Sequence, residues 1–169
     1  MDNRYLYKAK RTDNGEWVYG SLITGVFFRG GNDIPYILCP NKADYDCFED
    51  FTEDNGIFEV DPSTICQCTG LKDKNGKLIY EGDIVKCTDE FNEIEFTACV
   101  KFGNPNHSYS WGYQLNHISG DTPNTDILLW VEMEETGAHI EVIGSEIDNP
   151  ELQEMATVGK RGKQWVIHN

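Results

Sequence analysis

Between residues 93 and 102 apolar and polar side chains alternate without a break. Ile94, Phe96, Ala98, Val100 and Phe102 stand at every second position, with Glu93, Glu95, Thr97, Cys99 and Lys101 between them. A period of two over ten residues gives a strand one apolar face and one mostly polar face; a helix would scatter those apolar positions round its circumference. Shorter versions of the pattern recur on both sides. Residues 16–24 predict a strand with Trp17, Tyr19, Ser21 and Ile23 on one face and Val18, Gly20, Leu22 and Thr24 on the other. Gly30-Gly31 and Asn32-Asp33 signal a turn, and residues 34–38 return as the second arm of a hairpin. Residues 57–60 and 64–68 read as short strands parted at Asp61-Pro62, because proline has no N–H to give to a ladder. Residues 78–80, 84–87, 109–115, 126–133 and 139–143 complete the set.

Breaks between these runs carry their own chemistry. Asp73-Lys74-Asn75-Gly76 predicts a tight turn, since Asn-Gly supplies the positive φ angles such a turn needs. Asn149-Pro150-Glu151 marks a helix start, with a cap, a proline in the first turn and an acid at the positive end of the dipole. That helix is short, over residues 150–155. Residues 41–56 read as a solvated loop with room for a short helix at 44–51, and 164–168 as an edge strand or an ordered arm. Short strands at close intervals with turns between them predict an all-β fold of small barrel or sandwich units, with antiparallel strands and one short C-terminal helix. The expected division is an N-terminal β part at 1–60, a central and C-terminal β part at 61–156 and a tail at 157–169, with a single compact domain as the alternative.

Composition sharpens this picture. Aromatics at 12% are too plentiful for a disordered chain. The net charge of −15 is regional: residues 41–61 hold eight acids and one lysine, and residues 130–151 hold seven acids and no base. A nucleic-acid binder needs a basic footprint. The cluster of Lys160, Arg161 and Lys163 near the C-terminus is too small for such a footprint, so direct nucleic-acid binding is not expected. No run approaches the ~20 apolar residues that span a bilayer, and residues 1–10 lack the apolar stretch of a signal peptide. A cytoplasmic, non-membrane protein is expected, and with it free thiols at Cys39, Cys47, Cys66, Cys68, Cys87 and Cys99.

The segment from Asp61-Pro62-Ser63-Thr64-Ile65-Cys66-Gln67-Cys68 through Thr69-Gly70-Leu71-Lys72-Asp73-Lys74-Asn75-Gly76 to Lys77-Leu78-Ile79-Tyr80-Glu81-Gly82-Asp83-Ile84-Val85 resembles the YopX family. Trp17-Val18-Tyr19-Gly20-Ser21-Leu22 is similar to the family's N-terminal block. Ile140-Glu141-Val142-Ile143-Gly144, followed by Asn149-Pro150-Glu151-Leu152, is similar to its C-terminal block. The resemblance runs over residues 5–154. Ser145 departs from the Asn that often follows the C-terminal Ile-Gly, and Ile147 stands near a position where relatives commonly have an aromatic. The resemblance implies an all-β fold and an origin in temperate phages or prophages, largely of Gram-positive bacteria. It brings no activity with it.

Within the motif Thr69, Gly70, Leu71, Asp73, Gly76, Glu81, Gly82 and Asp83 are the residues to follow. Read as structure, Asp73 and Gly76 make the reversal, Gly82 allows a kink, and Asp83 ties nearby backbone N–H groups before Ile84 and Val85 enter the sheet. A Gly-Asp-x-Val entry of this kind also suits an SH3-like barrel. Read as chemistry, Asp73, Glu81 and Asp83 are carboxylates for a metal or for acid–base work. The turn chemistry explains every position and is preferred. Cys66-x-Cys68 has one residue between thiols where zinc sites use two to four, and both thiols point to one strand face, as core residues do. His107, His117, His139 and His168 stand singly. The glycines of residues 25–31 lack the helix and the Lys-Ser/Thr of a phosphate loop. Tyr109, Trp111 and Tyr113 share a strand face and, with Trp130, line either a core or a binding groove, the core being preferred. No cofactor is expected. The expected function is that of a phage accessory protein that binds a protein of phage or host, one version being an acidic decoy for a DNA-binding enzyme. The alternatives are a homo-oligomer paired through strand edges and a metal-dependent hydrolase using Asp73, Glu81 and Asp83.

Overall fold

A computed structural model describes residues 3–24, 34–39, 56–104, 111–119, 125–132 and 137–153. The turn at 30–33, the segment 44–51, Tyr109, His107, His168 and the arm at 164–168 lie outside the described residues. Eleven antiparallel strands are described: β1 (Tyr7–Lys10), β2 (Trp17–Ile23), β3 (Tyr36–Leu38), β4 (Ile57–Glu59), β5 (Cys66–Lys72), β6 (Leu78–Tyr80), β7 (Asp83–Asp89), β8 (Ile94–Gly103), β9 (Gly112–Ser119), β10 (Thr125–Asp126) and β11 (Ala138–Ser145). The chain is thus all-β. It divides into two compact units, Met1–Gly70 and Leu71–Asn169, with β5 running through the division.

In the first unit the strands lie in the order β4-β3-β2-β1-β5. Val18 and Gly20 of β2 face inward, as the period of two requires, and Ala9, Val18, Ile37, Phe58 and Val60 form the core. The sheet curls until its far end returns to β1. Arg11 bridges Val60, the Thr12 N–H donates to the Glu59 carbonyl at 3.1 Å, and the Asp61 N–H donates to the Lys10 carbonyl at 2.9 Å. Asp61 then caps a 3-10 turn at Pro62–Thr64 with its side chain on the Ser63 N–H, which explains why the strands part at Asp61-Pro62. The Cys39 N–H meets the Gly56 carbonyl at 2.8 Å, so residues 39 and 56 are clamped together where β3 leaves and β4 begins.

In the second unit the order is β10-β9-β8-β7-β11. The ten-residue alternation is β8, the longest described strand. Its apolar face packs into a core of Phe96, Ala98, Val100, Val85, Cys87, Leu115, Ile127, Trp130, Ala138 and Ile140. The other face is covered as well near its middle: Cys99 is buried with Ile84 and Ile118, and Leu152 packs on them. Residues 150–153 are helical, as the Asn-Pro-Glu signal predicts. The Asn149 side chain turns back, however, and its oxygen accepts the Ser145 N–H at 3.3 Å.

One element differs in kind. The strand expected over 126–133 does not continue past Asp126 among the described residues. The strand β10 ends at Asp126, and Ile127–Glu132 is a short helix, α1. Ile-Leu-Leu-Trp-Val is apolar throughout and carries no period to separate helix from strand. The deciding residue is Asp126, whose carboxylate accepts the Leu128 N–H at 2.9 Å and stands as the cap. Among the described residues no helix is long and apolar enough to cross a membrane.

Candidate functional site

The motif begins in β5, where Cys66 and Cys68 are buried and Thr69 is buried beside them. Gly70 takes a φ of 84°, a left-handed conformation that L side chains rarely adopt, and Leu71 packs against the second core. Asp73 follows and is almost wholly buried, at 6% exposure. Its Oδ1 accepts the Asn75 N–H at 2.8 Å and the Lys77 N–H at 2.9 Å; its Oδ2 accepts the Val142 N–H of β11 at 3.1 Å. Gly76, at φ 80°, closes the turn by donating to the Asp73 carbonyl at 2.9 Å. Burial works against the charge of Asp73. The three N–H groups, with Lys77 nearby, outweigh it and hold the carboxyl below its ordinary range.

Glu81, Gly82 and Asp83 form a second junction, between β6 and β7. The Asp83 carboxylate is buried and accepts the Tyr80 N–H at 2.9 Å. Gly82 has a φ of 78°; its N–H donates to the Val100 carbonyl and its carbonyl accepts the Glu146 N–H, both at 2.8 Å. Glu81 is turned to β8, where it accepts the Phe102 N–H at a long 3.4 Å. The three motif carboxylates are thus each directed to a different stretch of backbone.

What the structure does assemble beside Gly82 is a group that sequence order does not reveal. Lys101 on β8 places its ammonium 2.6 and 2.5 Å from the two carboxylate oxygens of Glu146. Gln153 donates to the same carboxylate at 3.3 Å, and the Cys99 thiol lies 3.8 Å from it. Partial burial opposes the charge on Lys101, but Glu146 overrides it and the ammonium is held more firmly than usual. Burial, followed by the negative charge of Glu146, pushes the Cys99 thiol up to about 12. A thiol so placed is not a nucleophile near neutrality. A Cβ at position 82 would stand 2.9 Å from the Glu146 Oε1, so the glycine keeps the room in which this carboxylate lies. The period of two put Cys99 and Lys101 on one face; only Glu146, 45 positions from Lys101, was missing.

A family model described as YopX protein matches residues 6–154. The chain belongs to the YopX family. No curated protein matches it. The match takes in every motif residue named above, so in this YopX chain the two turns and the Lys101–Glu146 pair all lie within the family region.

The remaining candidates of the YopX chain are dispersed. Among the described residues no three His, Cys, Asp or Glu side chains converge as metal ligands. His117 stacks on Phe96 with ring centroids 4.0 Å apart, and burial lowers its basicity. His139 lies in β11 with its Nδ1 buried and unbonded. Trp130 belongs to the core, edge-on to Phe96 at 4.9 Å, and so does not join Trp111 and Tyr113 in a groove. Trp111 is 76% exposed and Phe102 is 57% exposed, and Phe102 meets Tyr113 edge-to-face at 5.2 Å across the β8–β9 ladder. The alternation placed Phe102 on the apolar face without showing that the core ends before it.

Proposed function

We propose that this YopX-family chain is an accessory protein of a phage or prophage that acts by binding another protein, of phage or host, in the host cytoplasm. The observation that carries the reading is the aromatic end of the β8–β9 pair, where Phe102 and Trp111 are exposed beside Tyr113. Exposed aromatics bury large rigid areas at little entropic cost, and they are enriched at the centres of protein interfaces. The turn bonding of Asp73 and Asp83 supports a structural rather than a catalytic use of the motif, because both oxygens of Asp73 are engaged by backbone donors and Asp83 holds the Tyr80 N–H. Buried thiols such as Cys87 and Cys99 suit a reducing compartment.

The acidic-decoy version gains less. Within residues 130–151, Glu141 is paired with Lys74 and Glu146 with Lys101, each at 2.5 Å, and paired acids offer a weaker imitation of a phosphate row. The test is capture from host lysate, with and without nuclease, by the wild-type chain and by a Phe102→Ser/Trp111→Ser double variant of unchanged circular dichroism. A host protein retained after nuclease and lost with the double variant supports the reading. Retention by both chains alike would overturn the aromatic end as the binding surface.

A further inference from the structure

The strand β11 stands at the end of its sheet, with β7 on one side. Alternate residues of an antiparallel strand turn their N–H and C=O groups to opposite sides, and an end strand offers its outward groups as a template for another strand. Ile140 and Val142 are outward residues of β11, and both are already met. The Lys74 N–H donates to the Ile140 carbonyl at 2.9 Å, and the Val142 N–H donates to the Asp73 Oδ2 at 3.1 Å. Those are one acceptor and one donor of the edge, satisfied in the way an adjoining strand would satisfy them. Lys74 and Glu141 add an ion pair at 2.5 Å along the same edge. The other oxygen of Asp73 holds the Asn75 and Lys77 N–H groups, so one carboxylate both builds the turn and fastens it to β11.

We propose that the turn at residues 73–76 is an edge guard, which keeps β11 from pairing with a strand of a second copy of the chain. The occupant it excludes is a second copy because an edge strand is self-complementary about a two-fold axis: β11 run antiparallel to itself pairs every outward donor with an outward acceptor. The guard accounts for an aspartate buried among backbone groups at a turn that an exposed side chain could also cap. It also accounts for the reach of that side chain to a strand 69 positions away.

Two variants separate the guard from the turn. Asp73→Asn keeps an oxygen for Asn75 and Lys77 but sets an NH2 group against the Val142 N–H. Lys74→Pro removes the N–H that meets Ile140 together with the ion pair to Glu141, at a turn position that proline favours; Lys74→Ala, which loses the ion pair and keeps the N–H, is the control. Sedimentation at several concentrations and amide exchange at Ile140 are read on the full chain. The expected result is self-association at concentrations on the order of ten-fold lower than for wild type in both variants, as loss of one hydrogen bond implies, with the Ile140 amide gaining protection as the copies pair. Folded variants that sediment like wild type would overturn the proposal, and so would association that leaves Ile140 unprotected. Should Asp73→Asn fail to fold, Lys74→Pro decides alone.

Discussion

Asp73 gathers three backbone N–H groups on a carboxylate whose charge burial opposes. Replacing it with Ala strands those donors, and the expected loss is on the order of 3 kcal/mol near neutral pH, about one for each. The folded carboxyl titrates below its ordinary value of 3.8, so its contribution is complete above that value and is lost as pH falls through the lower folded one. Urea unfolding of wild type and Asp73→Ala between neutral and acid pH should therefore give curves that converge in acid; parallel curves would show that the charged form is not what the backbone holds. The turn role of this residue is legible in Asp-Lys-Asn-Gly, because turn chemistry is local. Its reach to Val142 is not, since no local pattern says which edge a turn will lie against. The same holds for Lys101 and Glu146, and for the room that Gly82 leaves to the Glu146 carboxylate in addition to the positive φ of its turn.

Among the elements, β8 follows the sequence closely because its residues alternate, and β6 because turns mark both its ends. The strand β1 escapes the same reading. Tyr7, Lys8, Ala9 and Lys10 show two lysines at strand spacing, which looks like a solvated face. Lys8 is in fact buried to 7% exposure, with its ammonium 4.9 Å from the centre of the Trp17 ring, so its methylene stem counts as apolar. The helix α1 escapes for the opposite reason, a run so apolar that periodicity falls silent and only the cap at Asp126 speaks. Gly20 in β2 looks like a weak point in a strand, and the structure gives it a purpose. A Cβ there would stand 1.9 Å from the Leu38 carbonyl oxygen, on backbone that cannot swing away. Gly20→Ala should part β2 from β3 and cost on the order of 3 kcal/mol or more, read as a lower melting temperature and a changed Trp17 fluorescence. An unchanged melt would mean that the two strands can separate at that point without loss.

For the whole molecule the dominant quantity is charge. A net of −15 sets like charges against one another in the folded chain. The pairs Lys74–Glu141, Lys86–Glu95 and Lys101–Glu146 offset this only locally. Raising salt from about 0.01 M to about 0.2 M shortens the screening length to roughly 8 Å or less, and the thermal midpoint should rise. A falling midpoint would show that the three pairs outweigh the general repulsion. Each unit carries its own core, the first around Phe58 and the second around Phe96. The clamp between Cys39 and Gly56 has a further consequence for the first unit. It holds residues 39 and 56, the two ends of the intervening chain, against each other at the sheet. Closure entropy grows only slowly with length, about 0.6 kcal/mol for each doubling. Lengthening the chain between residues 39 and 56 should therefore cost the first unit little in closure entropy, and the strands on either side should keep their register while that bond holds.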